Sequence, residues 1–202
     1  ITVSEVVEKF IHRTQEVDIL LKAVATPNFE NARRKAKEYD DVLEKLGNNE
    51  EKLQELFESK PLFGVPFTVK DHLPVKGLPC VFGMVWRKDI IMKETCAVVQ
   101  RFFDAGAICI ALTNMPEGGI GAESHNHVFG RTANPFDTRR SAAGSSGGEG
   151  ALNAAQATPF GIGSDCGGSI RLPAAFCGVF GLLPSPDYLD GEGIMMGPTD
   201  EI

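Results

Sequence analysis

The chain has 202 residues, 43% of them hydrophobic, enough to bury one sizeable core and so to form one globular domain. A net charge of -7, with acids and bases interspersed, supplies no basic footprint for nucleic acid. The five cysteines (Cys80, Cys96, Cys109, Cys166, Cys177) are odd in number and form no Cys-x-x-Cys pair, which argues against a disulfide framework or zinc centre and for an intracellular, reducing compartment. The longest apolar run, around Ala107 to Leu112, is too short to cross a bilayer. Membrane attachment and self-association stay open.

Glycine divides the chain. Residues 1–60 contain only Gly47, and the other 142 residues contain 21. The first part reads as helical. Thr2 and Glu5 form a capping box ahead of Val3, Val6, Val7, Phe10 and Ile11 on one helical face. Asn28 caps a second helix running to Leu46, where Gly47 stops it, and a third spans Asn49 to Ser59. With charged outer faces, these three helices read as a cover over something else. After Pro61 the texture becomes strand, loop and helix. Val65 to Val69 is a strand, Thr95 caps a helix through Ala105 with a Gly106 stop, and Ala107 to Leu112 is β-prone. Ala151 to Ala157 reads as a helix and Phe160 to Ser164 as a strand. Ile170 to Cys177 is a short helix or turn containing Pro173, and Val179 to Leu183 is a final strand candidate. Alternating strands and helices predict an α/β fold, a mixed β-sheet flanked by helices.

Two glycine-dense loops carry the chemistry: Ser141-Ala-Ala-Gly-Ser-Ser-Gly-Gly-Glu-Gly150 and Gly163-Ser-Asp-Cys-Gly-Gly-Ser-Ile-Arg-Leu-Pro173. Such loops bring the backbone close to a reacting group and turn N–H donors toward it. A serine hydroxyl needs a base. None of the four histidines sits in a Gly-x-Ser-x-Gly elbow, and His12, His72, His125 and His127 read as surface or loop residues. His125 and His127 lack a further clear ligand set, so no metal is expected. Lys70 ends the apolar strand Val65-Pro-Phe-Thr-Val69 and becomes a base if desolvation lowers its pKa; the bland alternative is a strand-end lysine facing water with Asp71 beside it.

These motifs resemble the amidase signature family of serine hydrolases, closest to its fatty-acid amide hydrolase branch, over roughly residues 61–186. The second loop matches the family pattern Gly-x-Asp-x-Gly-Gly-Ser-x-Arg-x-Pro in full. The first departs from it, with Ala143 at a position usually glycine and Ala142 at one usually proline. The resemblance implies Ser169 as nucleophile, Ser145 as bridging serine after a cis peptide, and Lys70 as base. Backbone N–H groups of Cys166, Gly167, Gly168 and Ser169 would form the oxyanion hole, although Gly167-Gly168 also suits an ordinary tight turn. Ser146, Asp165 and Arg171 would support the site, with no cofactor. It further implies one partial amidase domain over 1–202, a helical cover at 1–60 and a catalytic core segment at 61–186, incomplete on its C-terminal side. The implied substrate is a small-molecule amide, long-chain lipid amides included. Two other readings stand beside it: a glutaminase-type amidotransferase subunit, and a truncated, non-catalytic remnant.

Overall fold

A computed structural model describes residues 1–185 and 188–195. The helical opening follows the sequence reading except at Asn28, which sits at the N-cap of the second helix but makes no side-chain cap bond and instead donates its amide to Cys109 O at 2.9 Å. Helix α1 (Val3–Leu21) starts at a capping box in which Thr2 and Glu5 bond each other's backbone N–H. Helix α2 (Phe29–Leu46) ends at Gly47 with φ 54, and α3 (Glu50–Ser59) is capped by the Asn49 side chain. The sequence reading missed β1 (Val24–Pro27) between α1 and α2. This strand has only four residues, half-buried or exposed, and it includes a proline, which edge strands tolerate. The first sixty residues therefore give the sheet an edge strand as well as a cover.

Four strands form the main sheet, in the order β1, β3 (Ile108–Thr113), β2 (Pro66–Lys70), β6 (Gly161–Ile162). β1 runs antiparallel to β3, whereas β2 is parallel to both β3 and β6, so the sheet is mixed. Every residue of β2 and β3 is buried. A separate two-stranded ribbon pairs β4 (His125–Asn126) with β5 (Gly130–Arg131).

Helices cover both faces. Val7 and Ile11 of α1 and Ala32 and Ala36 of α2 pack on Ile108 and Ile110 of β3. On the opposite face, Phe67 and Val69 of β2 meet Val98 and Val99 of α4 (Ala97–Asp104). Thr95 does not cap α4. Cys96 is its N-cap, and the Thr95 hydroxyl instead accepts the Lys76 N–H. Helix α5 (Gly147–Ala154) begins four residues earlier than the apolar pattern suggests, because Gly147, Gly148 and Gly150 are themselves helical. Gly148 lets this helix start against bare backbone: a Cβ there would lie 2.6 Å from Asn114 N and 2.7 Å from Ala23 O. The last helix is α6 (Arg171–Cys177).

Val179 to Leu183 forms no strand. No neighbouring strand pairs with it among the described residues, and Phe180 and Leu182 stand exposed. Strand-like composition without a partner for its backbone groups does not make a strand. Pro186 and Asp187, at the end of the expected core segment, lie outside the described residues.

Candidate active site

Lys70 is the last residue of β2, and its side chain enters the interior at 1% exposure. Facing water is therefore ruled out. Asp71 is not its partner either, since that carboxylate accepts the N–H groups of Val81 and Phe82. Burial pushes the Asp71 carboxyl up to about 8. Lys70 Nζ lies 2.6 Å from Ser145 Oγ and 2.9 Å from Ser164 Oγ. Burial pulls its ammonium down to about 7, while Cys166, Glu149 and Asp165 resist that shift. A lysine in this state is neutral often enough near pH 7 to accept a proton.

Ser145 and Ser146 lie just before α5, both 2% exposed. The Gly144–Ser145 peptide is cis, and Ala143 takes the left-handed conformation at φ 62, which accounts for the usual glycine at this position. Ser124 fixes the loop by donating its hydroxyl to Ser145 O and accepting the Gly147 N–H. Ser146 N–H donates to Ser169 O at 3.0 Å, and the Ser146 hydroxyl donates to Ser164 O. The two serine loops are thus joined through backbone. Lys70 and Ser145 are in direct contact, whereas the Ser169 hydroxyl has no hydrogen-bond partner among the described residues.

The loop from Gly163 to Ile170 is organised by Asp165. Its carboxylate accepts the N–H groups of Gly168 (2.6 Å), Ile170 (3.1 Å) and Arg171 (3.2 Å) and both Nε and Nη2 of Arg171 at 2.9 Å. The Arg171 guanidinium, with those N–H groups, holds the Asp165 carboxyl well below the usual carboxylate range. One expectation changes here. The Gly168 N–H is engaged by Asp165, so it is not a free oxyanion donor in this conformation. The N–H groups of Cys166, Gly167 and Ser169 have no acceptor among the described residues, and Cys166 and Gly167 are exposed.

Sequence reasoning missed two members of the site. His72 reads from sequence as a surface or loop residue, but it is 5% exposed, and its Nε2 lies 2.5 Å from Ser164 Oγ. Burial and the neighbouring Lys70 hold its imidazole down to about 3, so it is neutral. The signal for it was its place two residues beyond Lys70 at the buried end of a strand. Ser164 lies within the quoted loop, but nothing in its spacing marks its hydroxyl as the bridge from Lys70 to His72. The other three histidines are exposed. No group of three or more potential metal ligands occurs among the described residues, and the five cysteines are free thiols, only Cys166 exposed.

A buried lysine joined to a serine, next to a glycine-rich loop with unengaged N–H groups, is the equipment of acyl transfer. In comparison with known proteins, the family model described as Amidase matches residues 5–198. The chain belongs to the amidase family. It is 40% identical over 193 residues to fatty-acid amide hydrolase 2-A of Danio rerio, covering 96% of this chain and 36% of that protein. It is 44% identical over 197 residues to a glutamyl-tRNA(Gln) amidotransferase subunit of Geobacillus sp. (strain WCH70), covering 96% of this chain and 38% of the relative. Among solved structures, a fatty acid amide hydrolase superposes with a TM-score of 0.88 at 28% identity, over 96% of this chain and 33% of its own. The native peptide amidase from Stenotrophomonas maltophilia gives 0.83 at 27%, over 96% and 39%. The chain therefore spans little more than a third of the length of these curated relatives. No helix among the described residues is long and apolar enough to cross a membrane.

Proposed function

We propose that this chain carries the nucleophile and base of a serine amidohydrolase that cleaves carboxylic amides, fatty acid amides among them, through an acyl-enzyme. The observation that carries the reading is the 2.6 Å approach of buried Lys70 Nζ to Ser145 Oγ. Neutral Lys70 takes the Ser145 proton as Ser145 takes that of Ser169, and Ser169 Oγ attacks the carbonyl carbon. The negative charge that develops on the carbonyl oxygen is met by the N–H groups of Cys166, Gly167 and Ser169; comparable donors are each worth about 3 kcal/mol in the transition state. The proton then returns through Ser145 to the leaving nitrogen as the C–N bond breaks. Water, deprotonated along the same path, releases the acid and restores Ser169. On this reading residues 1–202 are one part of a single amidase domain, with 1–60 as its cover and 61–186 carrying the chemistry.

The test is intact mass after incubation with a fluorophosphonate, followed by peptide mapping. One stoichiometric adduct on Ser169 is expected; no adduct on folded protein overturns the reading for this chain and leaves a non-catalytic piece. The 44% identity to an amidotransferase component supports a second reading, a glutaminase-type activity. Ammonia released from glutamine, with none from a primary fatty amide, would select it.

A further inference from the structure

Glu149 is a charged side chain that the reaction above does not use, yet the fold is built around it. It lies in the first turn of α5 and is 6% exposed. Its Oε2 accepts the Thr68 hydroxyl at 2.6 Å, and its Oε1 accepts the Thr113 hydroxyl at 2.8 Å. Thr68 precedes Lys70 by two residues on β2, so both side chains leave the same face of the strand. Thr113 is the residue paired with Lys70 across β2 and β3. The third neighbouring strand makes room: a Cβ on Gly161 would overlap Glu149 Oε2 and lie 2.8 Å from Thr68 Oγ1. Three strands thus combine to hold one carboxyl on the threonines that flank Lys70 on β2 and β3.

We infer that Glu149 is a positioning residue for Lys70: its fixed carboxyl supplies a buried negative charge against which the lysine gains and loses its proton. The inference rests on the reading of Lys70 as the base. Burial pushes the Glu149 carboxyl up to about 7, opposed by the two threonine hydroxyls and by Lys70. The two groups therefore exchange charge in the same pH range, and each favours the ionised form of the other. Cys166 and Asp165 also favour the ammonium, so Glu149 is one of three such groups, and the one held by the strands that carry and pair with the lysine. His72 is neutral, burial pushes the Cys109 thiol up to about 12, and Asp165 keeps its charge against Arg171. Cys166 is exposed at the loop. Ser145 and Ser164, which touch Lys70 directly, carry no charge.

The experiment follows the side-chain resonances of Lys70 by NMR across pH in the intact chain, assigned with Lys70→Met, so that no turnover is needed. The wild-type midpoint is expected near 7. In Glu149→Gln the ammonium loses one buried counter-charge, and the midpoint should fall by about one pH unit, a tenfold loss of proton affinity. Thr113→Val is an independent variant: without that hydroxyl Glu149 stays protonated to higher pH, and the midpoint should fall by a smaller amount. Thr68→Ser keeps its hydroxyl and should leave the midpoint in place. A wild-type midpoint near 7 that neither Glu149→Gln nor Thr113→Val moves overturns the inference and leaves the base intact. A wild-type midpoint near that of free lysine removes the base itself, and the inference with it.

Discussion

Lys70 and Ser145 are 75 residues apart in the chain and 2.6 Å apart in the fold. β2 delivers the lysine, and the turn into α5 delivers the serine. The contact sits where the sheet and the helix exclude water, and that exclusion pulls the Lys70 ammonium down to about 7. The consequence is a definite pH dependence.

Only neutral Lys70 accepts a proton, so the rate of Ser169 acylation by a fluorophosphonate should rise with pH through about 7 and level above it. Lys70→Met keeps most of the buried stem and should lower that rate by about 10²- to 10⁴-fold with the fold retained. Stability carries the same signature. The folded value lies below the unfolded 10.5, so between pH 7 and 10.5 the unfolded chain binds more protons, and this contribution to stability rises with pH in that window. Urea unfolding at two pH values inside the window should show that part of the slope vanish in Lys70→Met. A variant that acylates at the wild-type rate at neutral pH would require a different base.

Ser169 and Ser145 should fail differently. Ser169→Ala removes the attacking oxygen, and mass spectrometry should find no adduct at any time. Ser145→Ala leaves the nucleophile but breaks the path to Lys70, so an adduct on Ser169 should still form, about 10²- to 10⁴-fold more slowly. Equal rates in Ser145→Ala and wild type would mean that Lys70 reaches Ser169 without it.

Ser164 joins Lys70 to His72, and His72 Nδ1 is already buried without a hydrogen-bond partner. Ser164→Ala would leave the whole imidazole unpartnered, at a cost of about 1–3 kcal/mol. Adding His72→Phe replaces the stranded polar ring with an apolar one of similar shape and should recover part of that loss. The measurement is the urea midpoint of the two single variants and the double. Additive losses would show that the Ser164–His72 contact carries no coupling.

What the sequence made legible follows a physical division. Local signals held: the Thr2–Glu5 box, the Gly47 stop and the Asn49 cap depend on neighbours in the chain. The apolar runs of β2 and β3 are buried on both faces, which is why their composition read as strand. β1 escaped because a four-residue edge strand has no period to detect, and Val179 to Leu183 misled because strand-like side chains cannot reveal a missing partner. In the site, glycine spacing marked the serine loops. His72 is marked only by its place two residues beyond Lys70, and nothing local marks Ser164 or Glu149; their roles arise only when β2, the loop after β6 and α5 converge. The Gly-Gly-Glu-Gly run was visible, but the carboxyl's cradle at Gly161, twelve residues on, was not.

The glycines of the two loops serve different ends, and one pair of substitutions separates them. At Gly148 a Cβ would press within 2.7 Å of the Asn114 and Ala23 backbones, which cannot withdraw without opening the junction of α5 with β1 and β3. Gly148→Ala should therefore destabilise the chain by about 1–3 kcal/mol or more, with lower urea and thermal midpoints. At Gly167 nothing lies within 4 Å of the added carbon, and the φ angle is not in the left-handed region. Gly167→Ala should fold with midpoints like the wild type. Its methyl group would stand on the exposed turn where the carbonyl oxygen must approach the N–H donors, so acylation of Ser169 should slow while stability holds. If Gly167→Ala acylates at full rate, that turn is not the approach to an oxyanion hole, and Gly167 is the glycine of an ordinary tight turn.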